Sequence, residues 1–331
     1  MVHPQLLRQT WYRIAGKAVS VRLVGDELGR ELPRALVHLC TEPPGAQPEL
    51  LIEAWDEART GIRNPLEPTG GDDEAPGIVS ASAEGRYVLY RRAHTMFAFD
   101  RVNRELAGWV AAAGRLTQYE RGRPWHSELL LWQRDLGLQP VHAGFIERAG
   151  QGILLGGPGG SGKSTTALVC MGHGWSYLAD DHVAVERHAG GFVGHGLYAS
   201  AHLEPDHLRR FEALAVGAIP GTLRREDKSL LLLHGLAGSR LRSEAPIRLL
   251  ALPRVTGGHS TSFRRASRAE ALLRVAPSSL VLLPYQGLGH QGMQALAELI
   301  EGVPSYWLEL GRDFDQLPRA VHAMLEHALG G

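Results

Sequence analysis

Residues 152–172 read GILLGGPGGSGKSTTALVCMG. An apolar run, Ile153 to Leu155, enters the stretch, glycines fill its middle, and Lys163 to Gly172 leaves it with the composition of a helix. Gly157, Gly162, Lys163 and Ser164 meet the spacing G-x-x-x-x-G-K-[ST], with Gly159, Gly160 and Ser161 inside the loop and Thr165 just beyond it. Each position has a physical task. The glycines let the backbone fold tightly with its N–H groups turned inward, which makes an anion nest. A helix opening at Lys163 adds the positive end of its dipole. Lys163 reaches the β and γ phosphates of a nucleotide, and the Ser164 hydroxyl ligates Mg²⁺. A strand running in and a helix running out are the context this spacing requires, so a P-loop binding ATP and Mg²⁺ is expected.

The wider composition agrees. Lys17, Lys163 and Lys228 are the chain's lysines, and nearly all other positive charge is arginine. A compact ammonium is therefore retained where it must fit between phosphate oxygens, a task a planar guanidinium performs differently. The 331 residues are 44% hydrophobic and 21% charged, with zero formal net charge. That suits a globular chain and gives no basic stripe for nucleic acid. Cys40 and Cys170 make no disulfide framework, Met1 to Thr10 lacks the apolar core of a signal peptide, and Leu230 to Leu233 is too short to cross a bilayer. A cytoplasmic protein with no membrane partner is expected, and association into a homo-oligomer is left open.

Upstream of the loop, Tyr12 to Leu23 alternates like a strand or hairpin, and Asp26 to Leu39 has helical spacing despite Pro33. Leu50 to Trp55 and Thr95 to Phe99 read as strands. Asn64 to Gly77 reads as an exposed loop, and Glu84-Gly85 as the turn of a hairpin. Asp100 suits the N-cap of a helix running to about Ala113. Charge, Gly and Pro cluster at Tyr119 to Pro124, where a boundary is expected, and Pro124 suits the first turn of a helix through Gln133. Val141 to Ile146 is read as a strand. Downstream of the loop, Tyr177 to Ala179 reads as a strand, and His182 to Arg187 with Phe192 to His195 as a hairpin. Helices are expected over 205–214, Arg268 to Arg274, His290 to Ile300 and Leu317 to Leu329, with short strands at Leu230 to Leu233 and Leu249 to Leu252.

Asp180-Asp181 ends the strand after the loop's helix, where a P-loop site takes a carboxylate for Mg²⁺ or for the nucleophile. Adjacent acids repel unless a cation sits beside them. His142 lies on the strand before the loop, and near a carboxylate it could orient that group or tune it. Among sixteen histidines, no spacing suggests zinc.

Val141-His142-Ala143-Gly144, the loop Gly157 to Thr165, and Leu178-Ala179-Asp180-Asp181-His182-Val183 together resemble the HPr kinase/phosphorylase family in order and spacing. The resemblance covers about Pro140 to Val185. It implies an α/β chain whose mixed-sheet kinase domain, residues 123–331, is of the HPr kinase/phosphoenolpyruvate carboxykinase type, behind a smaller α+β domain over residues 1–122. It also implies that Asp180 is the general base toward a serine hydroxyl, that His142 assists it from across the site, and that Asp181 helps Ser164 hold the metal. The first 120 or so residues do not look like the regulator kinase's own amino-terminal domain. The family's Arg-Gly signature after the aspartate pair is not recognisable, Gly191 to His202 standing in that region. The chain looks more like the divergent serine-kinase-like relatives, and kinase fits better than phosphorylase.

The expected activity is ATP- and Mg²⁺-dependent transfer of phosphate to a serine of a protein or peptide, with the amino-terminal domain read as docking the acceptor or capping the kinase domain. A small-molecule hydroxyl kinase and a non-catalytic nucleotide sensor are the alternatives. No Asn-Lys-x-Asp motif marks a GTPase and no Leu-Ser-Gly-Gly-Gln stretch a transporter ATPase. Lys228, in the charged run Arg224 to Lys228, is either part of a solvated loop or a cation that meets the transferring phosphate or the acceptor.

Overall fold

Alternation at the amino terminus becomes a hairpin. Strands β1 (Leu7–Ile14) and β2 (Lys17–Val24) pair antiparallel about Ala15-Gly16, both at positive φ. Tyr12, Ile14, Val19, Val21 and Leu23 are buried from them. The computed structural model describes residues 7–66, 78–203, 218–219, 228–280 and 288–330, and is a mixed α/β chain. The helical spacing after β2 resolves into a helix, Asp26–Glu31, and a 3₁₀ segment, Leu32–Leu39, with Pro33 in the first turn where no backbone donor is needed. Then come β3 (Cys40–Thr41), β4 (Leu50–Asp56), β5 (Ile78–Ala81), β6 (Tyr87–Arg91), β7 (Thr95–Asp100) and β8 (Glu105–Val110). They form one sheet in the order β3-β1-β2-β4-β8-β7-β6-β5, with β2, β4 and β8 parallel.

The helix expected from Asp100 to Ala113 is instead the strand β8. Asp100 Oδ1 does accept from the N–H groups of Val102 and Asn103, at 2.9 and 3.1 Å, as a cap would. The chain then reverses at Arg104, φ 57°, and pairs back along β7. Gly108 lies under Phe97, so closely that a Cβ there would come 2.2 Å from the ring. A turn and a cap share the same local hydrogen bonds, and only the cross-strand partner separates them.

Thr117 and Glu120 form a reciprocal capping box on the short helix Gln118–Gly122. Trp125 is left-handed at φ 51°, so the next helix begins at His126 rather than Pro124 and runs to Asp135. Trp125, Leu129, Leu131 and Trp132 join the core beneath the first sheet, together with Leu197 and Tyr198 from far along the chain.

Glu128 is buried on that helix, and burial pushes its carboxyl from the ordinary 4.5 up to about 7. The folded state therefore keeps a proton that the unfolded chain releases. Stability falls as pH rises from about 4.5 through 7 and the loss is constant above, by up to about 3 kcal/mol. Glu128→Gln is expected to raise the melting midpoint at pH 8 and leave it nearly unchanged at pH 4.5. Equal shifts at both pH values would mean that the carboxyl's charge is not the cause.

The second large sheet contains β9 (Gln139–Val141), β10 (Ala143–Arg148), β11 (Gln151–Gly156), β12 (Ser176–Ala179), β13 (Val183–His188) and β14 (Gly191–Gly196). After β15 (Ser200–Leu203), β16 (Ala218–Ile219) and β17 (Ser229–Leu232), which make a small sheet in the order β15-β17-β16, it is completed by β18 (Glu244–Val255), β19 (Ser262–Arg265) and β20 (Ser305–Leu310). Its order is β12-β10-β11-β18-β14-β13-β9, with β20 also on β18 and β19 on β20. Strands β11, β18 and β20 run parallel. One face packs on the helices Lys163–Gly172 and Leu317–Gly330 through Ala167, Leu168, Val321 and Met324. The other packs on Arg268–Leu280 and Leu288–Gly302 through Ala271, Val275, Leu296 and Leu299. The Arg268 helix runs past the expected end at Arg274, through Pro277. The helix expected over 205–214 and residues 224–227 of the charged run lie outside the described residues. Among the described residues no helix is long and apolar enough to cross a membrane.

Candidate functional site

The carboxyl ends of parallel strands in an α/β sheet are where a ligand crevice forms. Here β11 ends at Gly156 and leads into the glycine loop. Gly157, Gly160 and Gly162 take φ of 144°, 75° and 101°. A side chain at Gly162 would be strained by its φ and would also come within 2.3 Å of Leu310 Cδ1, which would have to move. Lys163 begins its helix 6% exposed, and Nζ donates to the carbonyls of Gly157 at 2.7 Å and Pro158 at 3.0 Å. Burial lowers its proton affinity, against the pull of Asp181 and Asp180.

Asp180 and Asp181 follow β12 directly. The chain bends at this pair, and the two carboxylates have different surroundings. Asp180 is buried, accepts from the His202 N–H at 3.3 Å through Oδ2 and lies beside the Ser164 hydroxyl, while Oδ1 has no hydrogen-bond partner among the described residues. Burial and then the charge of Asp181 raise its proton affinity. Asp181 has both oxygens engaged. Oδ1 is 2.9 Å from His142 Nε2 and Oδ2 is 2.8 Å from Arg123 Nη1, with His182 Nδ1 at 3.5 Å. Burial opposes its ionisation, but Arg123, His142 and His182 hold it well below the usual carboxylate range.

His142 occupies the break between β9 and β10, where its N–H donates to Ser279 Oγ at 3.1 Å. The carboxylate it bonds is Asp181, whereas the sequence reading paired it with Asp180. The bend after β12 sets Asp180 beside Ser164 of the Lys163 helix and Asp181 beside the break.

A cavity of about 670 Å³ collects these groups. Gly159, Gly160, Gly162, Lys163, Ser164 and Thr165 form one part of its wall. Asp180, Asp181, His142 and Lys228 form another. Gly157 and Ser161 are not on that wall. Contributors from three other places gave no sign in the sequence. Arg123 comes from the segment read as a boundary, His202 from β15, and Phe314 with Leu310 and Val255 from the ends and surroundings of β18 and β20. Burial and the adjacent Arg123 push His202 down to about 3, so its ring is neutral and Nδ1 can accept from Arg123 Nη2, 3.2 Å away. Among the described residues no group of three or more His, Cys, Asp or Glu is placed to hold a metal by itself.

No protein-family model matches the chain, and no curated protein does. Among solved structures, 91 chains match. One is the HPr(Ser) kinase/phosphatase from Coxiella burnetii, 14% identical over 58% of this chain and 93% of that one, with a TM-score of 0.32. Likeness at that level leaves the activity to rest on the site's own chemistry.

Proposed function

We propose that this protein is a phosphotransferase that moves the γ-phosphate of ATP, with Mg²⁺, to a serine hydroxyl of a protein or peptide. The observation that carries the reading is that one cavity wall holds the glycine loop, Lys163, Ser164, both aspartates and His142 together. Its volume is within the roughly 300–1,000 Å³ of small-molecule sites.

The loop and the start of its helix bind the phosphates, and Lys163 exchanges the Gly157 and Pro158 carbonyls for phosphate oxygens. Asp180 is the base, because it lines the cavity and its buried Oδ1 has no hydrogen-bond partner among the described residues. Asp181, with both oxygens engaged, fixes His142 beside it. The residues suit Mg²⁺: the Ser164 hydroxyl stands next to the buried Asp180 carboxylate, whose ionisation burial and Asp181 oppose, a hard-oxygen corner that a cation would favour. Ser164 would hold the ion, nucleotide oxygens and water completing its ligands, and Mg²⁺ would screen phosphate charge there. Asp181 would have to release His142 or Arg123 to join it. Most of the rate enhancement comes from positioning and electrostatics.

The test is purified protein with γ-labelled ATP, offered serine-containing peptides and, separately, hydroxylated metabolites. Label on a peptide serine is the expected result. Label on metabolites alone assigns a small-molecule kinase, and binding without any transfer assigns a sensor.

A further inference from the structure

Arg123 lies at the expected division between the two halves of the chain, yet its side chain reaches the centre of the site. The backbone on either side of it is pinned from the segment that leads into β15. Ser200 Oγ donates to the Gly122 carbonyl at 2.6 Å, and the Tyr198 hydroxyl donates to the Pro124 carbonyl at 2.8 Å. The guanidinium rests over the Tyr119 ring, 5.5 Å from its centroid, and the side chain is 17% exposed. Nη1 meets Asp181 Oδ2 at 2.8 Å and Nη2 lies 3.2 Å from His202 Nδ1. His202 in turn gives its backbone N–H to Asp180. One guanidinium thus touches Asp181 directly and Asp180 through one residue.

We propose that Arg123 is a positioning residue of the transfer site: it holds Asp181 on His142 and thereby leaves Asp180 as the carboxylate with a free oxygen. This rests on the phosphotransferase reading above. Two adjacent buried carboxylates repel one another, and each seeks a cation. Lys163 directs its ammonium to loop carbonyls instead. With Arg123 in place, Asp181 has its counter-charge and does not compete with Asp180 for Lys163 or for a nucleotide-borne cation. A lysine at this position would supply charge, but a single point of contact cannot reproduce the two-armed hold on Asp181 and His202.

The experiment compares wild type, Arg123→Ala, Asp181→Asn and the double variant for transfer rate at saturating ATP, nucleotide Kd and melting midpoint. Arg123→Ala should slow transfer by about 10–100-fold, the range for a supporting partner of a site residue. Nucleotide Kd should change little. Guanidinium ion at low millimolar concentration should restore part of the rate, and ammonium ion should not. Since Arg123 acts through Asp181, the double variant should be no slower than the slower single one. Arg123→Lys retains charge and much of the packing, so it tests the same loss if the alanine variant does not fold. Undiminished transfer, additive losses, or a loss that guanidinium leaves untouched overturns the inference. The imidazole NMR signals of His142 give a readout independent of transfer. They should shift in Arg123→Ala or Arg123→Lys, and unchanged signals in a folded variant also overturn it. Wild-type protein that transfers nothing would sink the phosphotransferase reading, while the His142 signals would still decide the role of Arg123.

Discussion

Lys163→Ala is expected to reduce ATP turnover by at least about 10²–10³-fold, the scale for removing one preorganised electrostatic contact from a transition state. The protein should remain folded. Lys163 starts its helix and packs against loop carbonyls, and the apolar contacts of that helix are made by Ala167, Leu168 and Cys170 further along. The measurement is ATP turnover together with a melting curve. A folded variant that turns over ATP at the wild-type rate would remove the loop from the mechanism and with it the phosphotransferase reading.

Asp180→Asn should separate chemistry from binding. Transfer to the acceptor is expected to fall by roughly 10²–10⁴-fold, the contribution of a positioned general base, while ATP affinity stays close to wild type. The substitution keeps the shape and removes a buried charge whose ionisation is already opposed by burial and by Asp181, so the melting midpoint should hold or rise. Asp181→Asn should behave oppositely. It leaves the Arg123 guanidinium buried without its counter-charge, and losing one partner of a buried pair costs about 3–5 kcal/mol. Comparable folding losses in both variants, with comparable activity, would show that the two acids do not divide the work as their surroundings imply.

The glycine loop, its strand and its helix were legible because each announces itself locally. Ile153 to Leu155 is an apolar run, the glycines mark positions of positive φ, and Lys163 to Gly172 is bounded where the helix is. The aspartate pair was legible from its place after a short apolar strand. What failed was whatever depends on a partner distant in sequence. Glu105 to Val110 is a strand because Phe97 closes over Gly108, a contact the local pattern does not contain. Strands β15, β19 and β20 were missed because they are short and take their identity from the strands beside them. Arg123 gave no signal at all. Its neighbours Gly122 and Pro124 read as a linker, and the carboxylate that it meets comes after the loop. The pairing of His142 was misread for a finer reason: which of two adjacent aspartates faces the histidine is set by how the chain bends after β12 ends at Ala179, not by residue order.

Recombination would find no clean cut at residue 123. The interior under the first sheet is completed by Trp125, Leu129, Leu131, Trp132, Leu197 and Tyr198, all encoded downstream. A gene fusion joined there would inherit the sheet without much of what it packs upon, and would leave aromatic side chains of the recipient facing water. The amino-terminal segment is thus heritable only together with its downstream complement. Substitutions that change the volume of Tyr12 or Phe99 would be felt by side chains encoded beyond the junction, in the core they share.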